Sequence, residues 1–365
     1  MRKRILVAAS VSAALLTAVT ACGSSSSTTT TDAAGAKKPK VGVILPDSKS
    51  SVRWETADRP YLAAAFKAAG VDYDIQNAEG DKQAFQTIAD QMITSGVNVL
   101  ITVNLDSGTG KAVLDKAKAQ GVATIDYDRL TLGGSAQHYV SFDNTEVGKL
   151  QGQGLAKCLS DTGARTPVVA ELNGSPTDNN ATLFANGYNS VLDPKYASGE
   201  YAKGPNQPVP DWDNAQAGTI FEQMFTSRPD IAGVLAANDG LANAAIAVLR
   251  KNHRNGQVPI TGQDATVQGL QNILAGDQCM TVYKAVKKEA DAAAALAIDL
   301  AHGKKAQTTT TVHDPVGNRD VPATLLTPVA IFKNNVPDVV NDGFVTKTDL
   351  CTGSYAALCT AAGIK

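Results

Sequence analysis

Asn and Asp recur at matched places in two stretches of this 365-residue chain. Val99-Leu100-Ile101-Thr102-Val103-Asn104 leads through a helical segment to Val122–Asp128, and Gly233-Val234-Leu235-Ala236-Ala237-Asn238 leads likewise to Val258–Asp264. In each copy an Asn closes one apolar run, and an Asp lies six residues past a Val. Short apolar runs of this kind read as buried parallel strands, and ligands of open α/β sheets bind beyond the carboxyl ends of such strands. Two similar sheets facing each other aim Asn104, Asp128, Asn238 and Asp264 at one cleft. More polar groups stand at comparable places: Arg53-Trp54 after the first run, Arg129 beside Asp128, Asp178-Asn179-Asn180 after Val168–Leu172, and Lys284 after Met280–Tyr283. Trp212 precedes a helix in a polar loop, so both Trp residues of the chain lie outside apolar runs. Asp, Asn and Arg each offer two coplanar hydrogen-bonding positions that match vicinal hydroxyls. Trp adds a flat apolar surface for the C–H face of a ring. The implied chemistry is non-covalent capture of a neutral polyol.

Each residue also has a plainer reading. Asn and Asp after a strand make good N-caps, a Trp can be core, Arg53 and Lys284 can lie on a solvated surface, and Asp128-Arg129 can be a surface pair. Catalytic alternatives find less support. No H-E-x-x-H, G-x-S-x-G or complete P-loop occurs, because Gly108-Thr109-Gly110-Lys111-Ala112 lacks the spaced first Gly and the terminal Ser/Thr. Asp128 and Asp264 as a glycosidase pair would need one raised pKa, yet both have cationic or amide neighbours. Four His and the absence of C-x-x-C argue against a metal or redox centre. Asp211-Trp212-Asp213-Asn214 lacks the spacing of a calcium loop. A formal net charge of −2 leaves no basic footprint for nucleic acid. A DNA-binding repressor would also need an N-terminal helix-turn-helix. The chain therefore reads as a non-enzyme without cofactor or metal.

The elements that position these groups alternate. Strands are predicted at Val41–Leu45, Val71–Gln76, Val97–Val103, Val122–Tyr127, Val168–Leu172, Ile231–Ala236, Val258–Thr261 and Leu325–Phe332, with amphipathic helices between them and an Ala-rich helix over Lys287–Ala301. Asp143 and Glu146 form a capping signal for a helix reaching Cys158. Ahead of this body, Arg2-Lys3-Arg4, the apolar run Ile5–Ala18 and Ala21-Cys22 have the layout of a secretory signal, 1–21. The small residue before Cys22 resembles a lipobox, in which that Cys is acylated. Residues 22–39, rich in Ser and Thr, read as a flexible tether. An exported chain meets an oxidising compartment, so Cys158, Cys279, Cys351 and Cys359 read as two disulfides with three possible pairings. The short loop favours Cys351–Cys359, leaving Cys158–Cys279.

Asp126-Tyr127-Asp128-Arg129, Ser141-Phe142-Asp143-Asn144, Gly174-Ser175-Pro176-Thr177-Asp178-Asn179-Asn180-Ala181, Asn238-Asp239, Gly262-Gln263-Asp264-Ala265 and Met280-Thr281-Val282-Tyr283-Lys284, together with Arg53-Trp54, resemble the periplasmic sugar-binding proteins of ABC transporters, most of all their D-xylose-binding members. The likeness runs from Lys40 to about Val345. It implies an α/β fold of the type I periplasmic-binding class: two Rossmann-like lobes with parallel sheets, joined by a three-crossing hinge. The lobes would be 40–143 plus 284–312, and 144–283 plus 325–365, with the last crossing around 312–325. The implied ligand set is Arg53, Asp128, Arg129, Asp178, Asn180, Asn238, Asp264 and Lys284, with Trp54 and Trp212 on the two faces of one pyranose. The family pattern does not use Asn104, which becomes a cap. The resemblance further implies a monomer, anchored through Cys22 at the outer face of the cell membrane, that delivers a monosaccharide, D-xylose first, to an ABC permease. Another pentose or hexose (glucose, arabinose, galactose) or a tethered sugar sensor is the alternative. The body cysteines and the tail beyond Asp349 depart from the family pattern.

Overall fold

The computed structural model describes residues 38–365; the signal segment, Cys22 and most of the tether lie outside the described residues. Parallel strands buried on both faces need uniformly apolar side chains, and Val41, Val43, Ile44, Leu45, Val99, Leu100 and Ile101 supply them. The first lobe alternates β1 (Lys40–Leu45), α1 (Arg59–Ala68), β2 (Asp72–Asn77), α2 (Lys82–Thr94), β3 (Val99–Thr102), α3 (Ser107–Ala119), β4 (Ala123–Tyr127) and β5 (His138–Phe142). The chain then enters the second lobe with α4 (Asn144–Thr162), β6 (Val168–Asn173), α5 (Asn179–Ala197), β7 (Ala202–Pro208), α6 (Asn214–Ser227), β8 (Ile231–Ala236), α7 (Asp239–Lys251), α8 (Val267–Ala275) and β9 (Thr281–Tyr283). It returns with α9 (Val286–Ala301), β10 (Thr310–Asp314) and β11 (Arg319–Leu326). It leaves again through β12 (Val329–Ile331) to α10 (Val336–Asn341), α11 (Lys347–Leu350) and α12 (Tyr355–Ala361).

The first lobe's sheet has the order β10-β11-β5-β4-β3-β1-β2, parallel except for the β10–β11 pair. One apolar layer joins it to α1 and α9 through Phe66, Ala290 and Ala294, and another to α2 and α3 through Phe85, Met92 and Val113. The second lobe holds the parallel sheet β7-β6-β8 over a core that includes Leu155, Phe184, Tyr188, Phe221 and Leu249. The tail helices close a smaller core with α8 through Leu270, Val339, Leu350 and Cys359. Cys158 and Cys279 lie at disulfide distance (Cα–Cα 6.5 Å), as do Cys351 and Cys359 (5.8 Å).

Two expected elements differ. Val258–Thr261 forms no ladder strand, only a bridge between Val234 and Ile260; Pro259 has no N–H to donate. The strand expected over 325–332 is split at Thr327-Pro328. Leu325 and Leu326 still pair with β5 in the first lobe, whereas Val329–Ile331 pair with β9 in the second. The last crossing therefore lies between Leu326 and Val329, later than the expected 312–325, because β10 and β11 extend the first lobe's sheet.

Helix α5 opens onto the cleft through Asn180 and Phe184, and its close approach to α4 sets where these two residues stand. A Cβ at Gly148 would overlap the Phe184 carbonyl, and one at Gly187 would overlap the Thr145 carbonyl. Gly148→Ala is expected to lower stability by about 2–3 kcal/mol through overpacking. Urea unfolding checks this, and an unchanged midpoint would show that the two helices can separate freely.

Candidate functional site

Arg53 begins the site's construction. It directly precedes a π-helical turn, Trp54–Asp58, so that Asp58 comes back beneath it five residues on. The Arg53 guanidinium is held on both edges: Nε and Nη2 donate to Asp58 at 2.9 and 2.7 Å, Nη2 also to Glu289 at 2.7 Å, and Nη1 to Asp128 at 2.9 Å. Tyr127 donates its hydroxyl to Asp58 at 2.6 Å. The guanidinium also lies 4.5 Å from the Trp54 ring centroid, fixing the indole from one side. On the other side of the fold, Asp178 caps α5 through the Asn180 N–H and uses its second oxygen for the Trp212 indole N–H (3.0 Å) and Arg129 (3.1 Å). The capping reading and the cleft reading of Asp178 are both satisfied, by different oxygens. Asn238 does the same: its Oδ1 caps α7, and its Nδ2 reaches the Ser50 carbonyl of the opposite lobe.

All ten residues expected from the sequence line one cavity with an empty volume of about 330 Å³, and all ten are buried. Ser50, Ser51, Phe184 and Gln263 complete its lining and were not anticipated. Gln263 stood inside a quoted motif, next to Asp264; the serines had no signal beyond loop composition, and Phe184 read as core. Asn104 does not line the cavity, nor is it a cap, since Asp106 caps α3. Its side chain instead donates to the Arg129 carbonyl (3.0 Å) and the Thr131 hydroxyl (2.9 Å). The two Trp rings have mixed roles: each lines the cavity while also belonging to its own lobe's apolar core. Trp212 lies edge-on to Phe184, and Gly174 leaves no room for a Cβ beneath its ring.

The lobes meet through polar bonds at this cavity. Asn180 donates to Asp128 (3.1 Å to Oδ1), Ser51 to Asp264 (3.2 Å), and Lys284 from the hinge lies 3.6 Å from Asp128 and 3.2 Å from Asp264. This is a closed arrangement of the two lobes. Burial alone would push Asp128 up, but Lys284, Arg53 and Arg129 outweigh it and hold the carboxyl below its ordinary range. Burial would likewise lower Lys284, but Asp128 and Asp264 raise it above its usual value. Both are therefore charged at neutral pH. Asp128 cannot supply a proton as a general acid. Among the described residues the buried Gln263 Oε1 has no hydrogen-bond donor, and Asp264 Oδ1 has only the Lys284 ammonium beside it, at 3.2 Å. Asp128, Asp264 and Trp212 have backbone φ of 62°, 94° and 56°, a left-handed conformation costly for these residues and concentrated where the cavity is built. Among the described residues no cluster of His, Cys, Asp and Glu suits a metal ion.

Residues 41–305 match the model of the periplasmic binding protein domain. The chain belongs to the periplasmic binding protein family. Its lobes and crossings are those of the type I periplasmic-binding fold. It is 36% identical over 320 residues to the D-xylose-binding periplasmic protein of Escherichia coli (strain K12), covering 87% of this chain and 94% of that one. It is 34% identical to the multiple sugar-binding periplasmic protein SbpA of Azospirillum brasilense, over 85% and 90% of the two chains. An ABC transporter solute-binding protein of Clostridium phytofermentans, solved with bound β-D-glucose, superposes with a TM-score of 0.80 at 27% identity, over 85% of this chain and 99% of that one.

Glu289 adds a pH dependence to this periplasmic binding protein. Burial pushes its carboxyl up to about 8, against the pull of Arg53 and with a further push from Asp128 and Asp58. A carboxyl raised in the folded state favours folding below its ordinary value of 4.5, and that contribution is lost as pH rises through about 8. The melting temperature is expected to fall between pH 6 and 9, and Glu289→Gln to make that fall shallower, leaving the part due to the buried carboxyls of Asp126 and Asp239, which are raised to about 7; identical slopes would exclude a contribution from Glu289. Asp58→Ala, which removes two of the four hydrogen bonds to a buried guanidinium, is expected to cost about 3 kcal/mol in urea unfolding.

Proposed function

We propose that this protein is the solute-binding component of an ABC sugar importer, taking one monosaccharide, D-xylose first, into the cavity between its lobes and presenting it to the permease. The observation that carries the reading is the cavity itself: both lobes and the hinge bring planar bidentate groups to one small space lined by two indoles. The relatives named above for D-xylose and for multiple sugars support the ligand class. The carboxylate oxygens of Asp128 and Asp264 accept hydrogen bonds from hydroxyls, Arg53, Arg129 and Lys284 donate to ring and hydroxyl oxygens, and Asn180 and Asn238 can do both. Trp54 and Trp212 cover the apolar C–H faces. An open form admits the sugar, and closure replaces its water with these groups. A sugar that lacks a matching hydroxyl leaves a buried charge or acceptor unpaired, at about 1–3 kcal/mol each. No bond is made or broken in this cycle, so the protein is not an enzyme. Acylation of Cys22 would hold it at the outer membrane face, and the two cysteine pairs would be oxidised there.

A thermal-shift panel of pentoses, hexoses and polyols tests the ligand. D-xylose at about 1,000 times its dissociation constant is expected to add about 4 kcal/mol of stability. A response to glucose or arabinose alone would keep the class and overturn the ligand, and no response to any monosaccharide would overturn the importer reading. Asp264→Ala and Trp212→Ala are expected to weaken xylose binding and shrink the xylose shift in a folded protein. Retained affinity would assign both residues to the scaffold. Cys22→Ser is expected to release the full chain from membranes, and continued membrane association would rule out the anchor.

A further inference from the structure

Each lobe contains a fully buried carboxylate that does not reach the cavity but grips the loop that does. In the first lobe Asp126, on β4, accepts the Thr131 N–H (2.7 Å), the Thr131 hydroxyl (2.8 Å) and the Thr102 hydroxyl (3.3 Å). Between strand and Thr131 lie Asp128, with φ 62°, and Arg129, whose carbonyl is held by Asn104. In the second lobe Asp239, at the start of α7, accepts four hydrogen bonds. The Thr266 N–H (2.8 Å) and hydroxyl (3.1 Å) reach one oxygen, and the Gln278 amide (2.8 Å) and Thr281 hydroxyl (2.8 Å) reach the other. Its own N–H donates to the Gln263 carbonyl at 3.0 Å. The intervening Asp264 and Ala265 have φ of 94° and 50°, two consecutive residues in a region that side chains disfavour. A Cβ at Gly262 or Gly269 would overlap the Asp239 carboxylate, so the backbone around it is cleared to let it through.

Neither carboxylate has a cation within salt-bridge distance among the described residues. Burial pushes both up to about 7 in spite of their donors, and the charge of Asp264 adds to the push on Asp239. Such a group is costly to bury, and an apolar residue could fill its space at less expense. What an apolar residue could not do is bind a backbone N–H and a hydroxyl from the far side of a left-handed turn.

We propose that Asp126 and Asp239 are positioning residues for sugar binding: they lock the turns that carry Asp128–Arg129 and Asp264, and so set the sugar selectivity of the cavity without touching the ligand. The inference rests on the importer reading above. Asp239→Asn places an N–H₂ against donors at one oxygen. It is expected to weaken D-xylose binding by about ten-fold or more and to narrow discrimination against sugars that differ at a single hydroxyl. In an Asp264→Ala background the same change is expected to shift affinity by less than about two-fold, because the group it positions is gone. Isothermal titration of the four proteins, well below their melting temperatures, measures this cycle. Thr281→Val, which removes one of the four donors to Asp239 together with the acceptor of the Ala265 N–H, serves if Asp239→Asn does not fold. A lowered melting temperature with parental affinity and selectivity, or an equal loss in both backgrounds, would overturn the inference and leave the importer reading standing. A parent that binds no monosaccharide would overturn both.

Discussion

Charge alternation inside a buried cleft is the constraint around which this molecule is organised. Arg53, Lys284 and Arg129 stand among Asp58, Asp128, Asp178, Asp264 and Glu289, all buried. Removing one of the cations leaves buried carboxylates short of compensation in a low-dielectric interior. The members come from distant parts of the chain: the loop after β1, the end of β4, the start of α5, the loop before α8, the hinge and α9. Satisfying them therefore requires both lobes and the returning α9 to be in place together. The raised Glu289 carboxyl shows where the balance is poorest, since three acids crowd one guanidinium.

The same lattice explains how a hinge protein can close without a large apolar interface. Each lobe keeps its own apolar core, so the lobes do not depend on one another for folding contacts. Closure is carried by a few directed bonds, among them Asn180 to Asp128, Ser51 to Asp264 and Asn238 to the Ser50 carbonyl. Such bonds can be exchanged with water at little net cost, which suits a motion that must reverse. A polyhydroxylated ligand supplies further donors and acceptors between the same groups, and so favours the closed arrangement by differential contact.

Rigidity at the cavity has been placed in the turns and not in the side chains alone. Asp128 and Asp264 leave their strands in left-handed turns, and the buried Asp126 and Asp239 tie those turns from behind. Asn104, which resembles Asn238 in sequence, has the matching position but a different task, bracing the Arg129 turn. The two halves are thus alike in plan and unlike in detail, as a cavity for an asymmetric ligand requires.

Local chemistry makes much of this legible in the sequence alone. Apolar runs of four to six residues between amphipathic segments specify parallel strands, because no other element buries both faces over so short a length. Residues just past the carboxyl ends of such strands have only the cleft to enter, which is why Arg53, Asp128, Asp178, Asn238 and Asp264 could be singled out. Where pairing depends on a partner, the chain was mute. Pro259 removed the ladder at Val258–Thr261, Pro328 split the last strand, and β11 found its neighbour in β5, some 180 residues earlier. Nothing local announces Glu289 in an Ala-rich helix as the partner of Arg53, or Asp58 as its second clamp. Long-range ion pairs have no periodicity, and a buried charge is identified only by what folds against it.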